Sequence, residues 1–367
     1  MKFTCHKNVI LKEISIAQDI ISSRNSLSIL SNVLLEADNG ILKIKATDLK
    51  VSFETQIPVE VSQPGSTTVY CDKFLGIIKS LPDGDVEFNL TDGRLLINPI
   101  FGKINFQLKS IASEKFPEIQ EIEDDKYFEL SQSSLINMIS QTIFSVSDDE
   151  TRYFMNGVYL EHQEGTLSMV ATDGRRLSFI KKELETEIYN FDPVIIPTKI
   201  LHLIKKLASG EGNLYVAVSE KTIFVKFDNQ KLSSNLIEGQ FPNYNRVIPE
   251  HQEFNINVSK KDLIEALRRV SLLVEQKSRR IYLTFSNGTI TLNSEESEIG
   301  IAKEEINCDY EGDGMTVALN YLYLLDPLKV IEDDNISIKF TEANKAISII
   351  SIPEKDYFHI VMPMQLD

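Results

Sequence analysis

The side chains that could carry out chemistry in this chain are few and scattered. Five histidines, His6, His162, His202, His251 and His359, stand far apart without partners at metal-ligand spacing. The carboxylate run Asp148-Asp149-Glu150 follows a predicted helix, where three solvated acids are the ordinary reading. There is no Gly-x-Ser-x-Gly elbow, no His-Glu-x-x-His and no Walker-type phosphate loop, and Gly312-Asp313-Gly314 lacks the strand and helix that phosphate binding requires. Cys5, Cys71 and Cys308 form no Cys-x-x-Cys pair, so buried thiols in a reducing compartment are expected, not a zinc knuckle or a disulfide framework. These observations predict no catalytic residues, no metal and no cofactor.

Two segments exceed what a purely structural role needs. In Thr172-Asp173-Gly174-Arg175-Arg176-Leu177 a hairpin turn accounts for Asp173 and Gly174, but not for the adjacent arginines or for an apolar Leu177 expected to be exposed. The segment Val361-Met362-Pro363-Met364-Gln365-Leu366-Asp367 is apolar and methionine-rich where chain ends are usually polar and frayed. It calls for a groove or a partner, and the adaptable thioether chain suits a surface that accepts several partners.

The elements that must position these segments repeat. Gly40-Ile-Leu-Lys-Ile-Lys-Ala-Thr-Asp48 returns 125 residues later as Gly165-Thr-Leu-Ser-Met-Val-Ala-Thr-Asp173, and 123 residues after that more faintly from Gly288. The helical stripe Phe74, Ile77, Ile78, Leu81 recurs as Ile200, Leu203, Ile204, Leu207 and as Tyr321, Leu324, Leu325, Leu328. Each stripe precedes an alternating strand, Val86–Leu90, Leu214–Val218 and Ile336–Phe340. Six helices are predicted, near 7–24, 72–81, 131–147, 197–208, 259–280 and 319–331, with Ser259 as an N-cap. The fold class is α+β: three repeated domains of antiparallel sheet with helices on one face. Their expected bounds are 1–125, 126–252 and 253–367, the acidic stretch Glu118–Lys126 and Pro249–Glu253 marking the boundaries.

Charge divides along the same lines. The chain of 367 residues carries a formal −16. Its predicted helices hold sixteen Lys and Arg against seven Asp and Glu, which leaves −25 for everything else. Basic helices in an acidic shell suit a polyanion held on one surface and repelled elsewhere. No apolar run reaches the roughly 18 residues that span a bilayer, which points to a cytoplasmic protein.

Met1-Lys2-Phe3-Thr4, Arg152-Tyr153-Phe154-Met155-Asn156-Gly157, Ala171 to Leu177, Phe241-Pro242-Asn243-Tyr244 with Arg246-Val247, and Val361 to Met364 together closely resemble the family of bacterial DNA polymerase III beta subunits, the sliding clamps. The resemblance runs through the whole chain and includes the threefold repeat. It implies a head-to-tail homodimer closed into a ring around double-stranded DNA, helices inside and sheets outside, opened by a clamp loader. Its partners would be the DNA polymerase III alpha subunit, other DNA polymerases, and mismatch-repair proteins or ligase bearing clamp-binding peptides.

By matching motifs, the partner cleft would comprise Arg152, Thr172, Gly174, Arg175, Arg176, Leu177, Pro242, Arg246, Val247, Asn320, Tyr323, Val361, Met362, Pro363 and Met364. DNA contacts would fall to Arg24 and Tyr153, with Lys199, Lys205 and Lys206 in support. The dimer interface would join Phe106, Leu272 and Leu273, with Lys73 and Lys103 facing Glu298, Glu304 and Glu305. Departures from the family pattern are Arg175 where histidine is frequent, Gln365 where a base is common, Asp367, Phe154, a loop Arg24–Ser28 without prolines, and Asp149 close to Tyr153. The competing class is a repeated α+β scaffold that binds proteins without encircling DNA. An enzyme would need clustered titratable residues that the chain lacks.

Overall fold

The computed structural model describes residues 1–21, 29–185 and 188–365. Among them the chain forms two compact units, one from 1–132 with 206–236 and the other from 133–205 with 237 onward. The described strands pair antiparallel in three sheets, each inside one unit.

In the first unit, Phe128–Ser131, Asn213–Val218, Thr222–Phe227 and Gln230–Asn235 continue through Val51–Pro58 into the nine strands of the first repeat, thirteen in all. In the second unit, Val194–Pro197, Gly157–Gln163, Thr166–Thr172 and Arg176–Glu183 continue through Tyr357–Val361 into the third repeat, eight in all. The middle repeat is therefore shared between two sheets, which is why the compact units do not follow the expected repeat boundaries. A separate four-stranded sheet completes the second unit. Period-2 patterning explains these strands: in Arg280–Ser286 the alternate residues Ile281, Leu283 and Phe285 are fully buried.

All six helices are present: α1 (Lys7–Ile20), α2 (Cys71–Ser80), α3 (Gln132–Thr142), α4 (Thr198–Leu207), α5 (Lys260–Val270) and α6 (Tyr321–Leu328). Ser259 caps α5, its hydroxyl accepting from the Asp262 N–H at 3.3 Å, and His6 caps α1 through Nδ1.

Helices α3 and α5 stop five and ten residues earlier than the sequence predicts, and α1 and α6, ending at Ile20 and Leu328, stop four and three residues early. The Thr142 hydroxyl donates back to the Met138 carbonyl at 2.8 Å, and with the branched Ile143 next in line, α3 tightens into a 3-10 turn, Ile143–Ser145. Helix α5 gives way to a tight turn, Ser271–Leu273, and its apolar stripe ends at the buried Val274, before the polar stretch 275–278.

The charge partition shrinks accordingly. The observed helices carry eleven basic and six acidic side chains, because Lys277, Arg279, Arg280 and Lys329 lie beyond helix ends and Arg24 falls outside the described residues. Cys5 and Cys71 are buried as expected, and burial pushes both thiols up to about 12; Cys308 is only half-buried, on a loop after Lys303–Asn307. Among the described residues no helix is long and apolar enough to cross a membrane, and no group of three His, Cys, Asp or Glu is placed to hold a metal ion.

Candidate functional site

The turn 172–177 is held by its own side chains. The Asp173 carboxylate accepts from the N–H groups of Arg175 at 2.8 Å and Arg176 at 3.0 Å, and the Thr172 hydroxyl accepts from Gly174 N–H at 3.0 Å. Gly174 has φ +86°, a left-handed conformation that a side chain would strain. Behind the turn, cross-strand pairing sets Leu177 against Ile360, and two residues on the Met362 N–H donates to the Arg175 carbonyl at 2.9 Å. This bond carries the tail alongside the turn.

The third wall comes from 241–247. Phe241 and Tyr244 anchor it by packing with Val170, Leu177, Ile195 and Ile360, and the Phe241 ring stacks on Tyr159 at 4.7 Å. The Tyr244 hydroxyl donates to Glu161; burial first, and that carboxylate second, hold the phenol above its ordinary range.

The three segments enclose an apolar cleft of about 130 Å³, lined by Thr172, Gly174, Arg175, Arg176, Leu177, Pro242, Val247 and Met362 among the expected residues. Leu177, expected exposed, is 2% exposed. The strand that follows the turn folds it inward, so it forms floor and not rim. Met155, Asn243, Tyr244 and Ile360 also line the cleft. Met155 and Tyr244 stand inside recognisable motifs; Ile360 looks like any core strand residue.

The other expected residues surround this cavity. Arg176 borders it, but its guanidinium is committed: Nε to Asp173 at 3.1 Å, Nη1 to Asp326 at 2.8 Å, Nη2 to the Phe144 carbonyl, with the Tyr323 ring 4.6 Å away. Tyr323 thus joins the site through Arg176. The Met364 N–H donates to the Ala318 carbonyl at 2.7 Å, two residues before Asn320, whose side chain caps α6. Val361 is buried in the sheet, Arg246 is exposed, and Arg152 lies against Gly174. Behind the floor, Ser145, Ser178 and His359 form a buried chain with spacings of 2.7 and 2.9 Å, and burial lowers the His359 imidazole to about 3, so it is neutral at physiological pH.

Of the residues expected at DNA, Tyr153 is 53% exposed. The Asp149 carboxylate nearby is occupied, accepting from Thr151 and Arg152, which holds it below the usual carboxylate range. Helix α4 buries Ile200, Leu201, Leu203 and Ile204 and leaves Lys199 and Lys205 half-buried, while the exposed Lys206 pairs with Asp19 at 2.5 Å.

The expected interface residues lie on two strand edges. In the first unit, residues 106–109 of Phe106–Ile111 pair with Arg94–Pro99 on one side only. Beside that edge Phe101 is 84% exposed, with Ile100 and Ile104 also exposed and Phe106 half-buried. In the second unit, Lys303–Asn307 pairs only with Thr289–Ser294, and Leu272, Ile299 and Ile301 are exposed while Leu273 is half-buried. Phe101, Ile104, Ile299 and Ile301 escaped the sequence reading because apolar residues in glycine-containing loops have no period. Lys73, Lys103, Glu298 and Glu305 are exposed; Lys73 lies 3.3 Å from Asp72. Glu304 is instead engaged by Arg269, at 2.6 Å to Nη2 and 3.0 Å to Nε, which lowers its pKa.

Comparison with known proteins agrees on one family. The N-terminal, central and C-terminal domain profiles of the DNA polymerase III beta subunit match residues 1–120, 129–243 and 245–365. The chain is 46% identical over its full length to the full-length beta sliding clamp of Treponema pallidum. It is similar, with full coverage of both chains, to a sliding clamp structure from Pseudomonas aeruginosa bound to griselimycin (30% identity, TM-score 0.95) and to one from Bacillus subtilis (27% identity, TM-score 0.95).

Proposed function

Since the chain belongs to the bacterial DNA polymerase III beta subunit family, the beta sliding clamps, it is a non-catalytic processivity factor of the replicative polymerase, and we propose how its residues divide that work. It acts as a homodimeric ring on duplex DNA, in the bacterial cytoplasm, with domains at 1–125, 126–252 and 253–367. Enclosure prevents dissociation, while phosphate contacts that carry no sequence information permit sliding.

The 130 Å³ cleft takes the apolar anchors of clamp-binding peptides from the polymerase alpha subunit, the clamp loader, other polymerases and mismatch-repair proteins or ligase. Leu177, Pro242, Val247 and Met362 supply the apolar contact, and Arg175 and Arg246 the charged rim. Arg152, Asn320, Tyr323, Val361, Pro363 and Met364 border this surface, with Arg176 fixing Tyr323 beside it. Tyr153, Lys199, Lys205 and Lys206 face DNA, with Arg24. The observation that carries the cleft is its construction from three segments far apart in sequence, one of them the tail. A fluorescent peptide from the polymerase's clamp-binding motif should bind the full chain and bind a chain ending at residue 361 at least about tenfold more weakly, both remaining dimeric. Equal affinities would make the tail a terminal strand only.

The protomers close by joining the Phe106–Ile111 edge of one to the Lys303–Asn307 edge of its partner. Phe101, Ile104, Phe106, Leu272, Leu273, Ile299 and Ile301 cover one another there, and Lys73 and Lys103 face Glu298 and Glu305. Unpartnered strand edges otherwise invite uncontrolled association. Burying a Leu is worth roughly 1.5–3 kcal/mol, so Leu272→Ala with Leu273→Ala should give monomer by light scattering at nanomolar concentration. A persistent dimer would place the interface elsewhere.

A further inference from the structure

A cavity in the first unit answers the cleft of the second position by position. Val51–Pro58 lies 125 residues before Arg176–Glu183 and pairs with Gln230–Asn235 in the same register that joins Arg176–Glu183 to Tyr357–Val361. Ser52 faces Ser233 where Leu177 faces Ile360, and Glu54 faces Lys231 where Phe179 faces Phe358. Phe116-Pro117 likewise stands 125 residues before Phe241-Pro242, both phenylalanines being buried. The segment 119–124 that follows roofs a cavity of about 300 Å³, larger than the cleft.

Its lining is ionic where the cleft is apolar. Glu54, at the floor, is 7% exposed, yet its carboxylate lies 3.6 Å from Lys231 Nζ and 3.7 Å from Lys45 Nζ, with the Gln56 amide at 3.4 Å. Lys45 is held more closely by Glu36, at 3.0 Å. Both ammonium groups stand beyond hydrogen-bonding distance, so the carboxylate, although charge-compensated, keeps acceptor positions that a guanidinium or ammonium entering the cavity can fill. The cavity is also bordered by Glu121, Glu123 and Asp124, against Lys226 and Lys231 alone. Lys226 shows what this wall accepts: its ammonium sits 2.8 Å from Asp124 and 4.0 Å from the centre of the Tyr127 ring. Ile119, Ile122, Phe224 and Leu232 add apolar surface.

We propose that this cavity is a second peptide-binding site, selective for an extended basic segment whose Arg or Lys side chain reaches Glu54 while flanking apolar residues lie under 119–124. It rests on the cavity's own lining, so it stands or falls separately from the cleft.

The test is fluorescence anisotropy on the full-length protein with excess unlabelled clamp-binding peptide filling the cleft. The probes are a labelled hexapeptide Ala-Leu-Arg-Ile-Arg-Ala and its counterpart with glutamates for arginines. The basic probe should bind at least about tenfold more tightly than the acidic one, and Glu54→Gln should weaken it by a similar factor while circular dichroism shows the variant folded at the assay temperature. A photo-crosslinkable form of the probe should label 119–127 or 224–233. No binding up to about 1 mM, equal affinity for the two probes, full affinity in Glu54→Gln, or labelling elsewhere would each overturn the proposal.

Discussion

The cleft in the second unit and the cavity in the first share a strand register, a Phe-Pro entry to the covering segment and the preceding Ala-Thr-Asp turn, yet their linings have opposite character. At one pair of positions an aromatic stack, Phe179 on Phe358 at 5.0 Å, corresponds to an ion pair, Glu54 with Lys231 at 3.6 Å. At the next pair Leu177 and Ile360 correspond to two serines. Backbone register thus determines that a hollow forms beneath the connecting segment, and a handful of side chains determine what it can hold. Repetition conserves the container more strictly than the contents.

The sharpest contrast lies in what each floor contributes to stability. Leu177→Ala removes a buried side chain and should cost about 2–4 kcal/mol, together with most peptide affinity. Ser52→Ala, at the corresponding position, should cost about 1 kcal/mol or less. Matched denaturant titrations measure both; equal losses would break the comparison. Next is Arg176→Met, which leaves Asp173 and Asp326 facing a side chain without charge. About 2 kcal/mol is expected, with peptide binding weakened through Tyr323. A variant as stable as the parent would show that the guanidinium only decorates the turn.

The smallest effect is the response to pH, and its sign differs between the units. His359 holds its imidazole at about 3 against an ordinary 6.5, so as pH falls below about 6.5 the unfolded chain takes the proton first and stability is lost, by roughly 1 kcal/mol at pH 5.5. Glu13 on α1 is buried and its pKa is raised, chiefly by that burial, with hydrogen bonds from Thr55 and Gln230 opposing. Its contribution is present below the ordinary 4.5 and is lost as pH rises through the raised value. His359→Gln should therefore flatten the acid limb of a stability profile, and Glu13→Gln the alkaline side. Profiles identical to the parent's would remove both residues from the account.

Much of this architecture was legible because it is periodic. Stripes such as Ile200, Leu203, Ile204 and Leu207 identify a buried helix face, and the recurrence of Ala-Thr-Asp gives the repeat. Helix ends were less legible, since they depend on single events: the Thr142 back-bond and the tight turn at Ser271. The cleft was readable where motifs marked it, at Pro242, Val247 and Met362. Leu177 was misplaced because proximity to a turn reads as exposure, whereas its neighbours in space are decided by a pairing with Ile360, 183 residues away. Glu54 was invisible for the converse reason. An acid in an alternating strand reads as a solvent-facing residue, and only the tertiary structure buries it.

The division of the middle repeat between two sheets bears on how such a chain can be taken apart. Excised at the proposed domain bounds, residues 126–252 would carry Gln230–Asn235 stripped of Val51–Pro58 and Arg176–Glu183 stripped of Tyr357–Val361. That fragment would expose two unpaired strand edges, the condition that invites association and aggregation. The repeats are alike in plan but are not interchangeable bricks. Each was fitted to a particular neighbour, so recombination between clamps should succeed at loop tips inside a sheet's own hairpins and fail at the joints where a domain map would first suggest cutting.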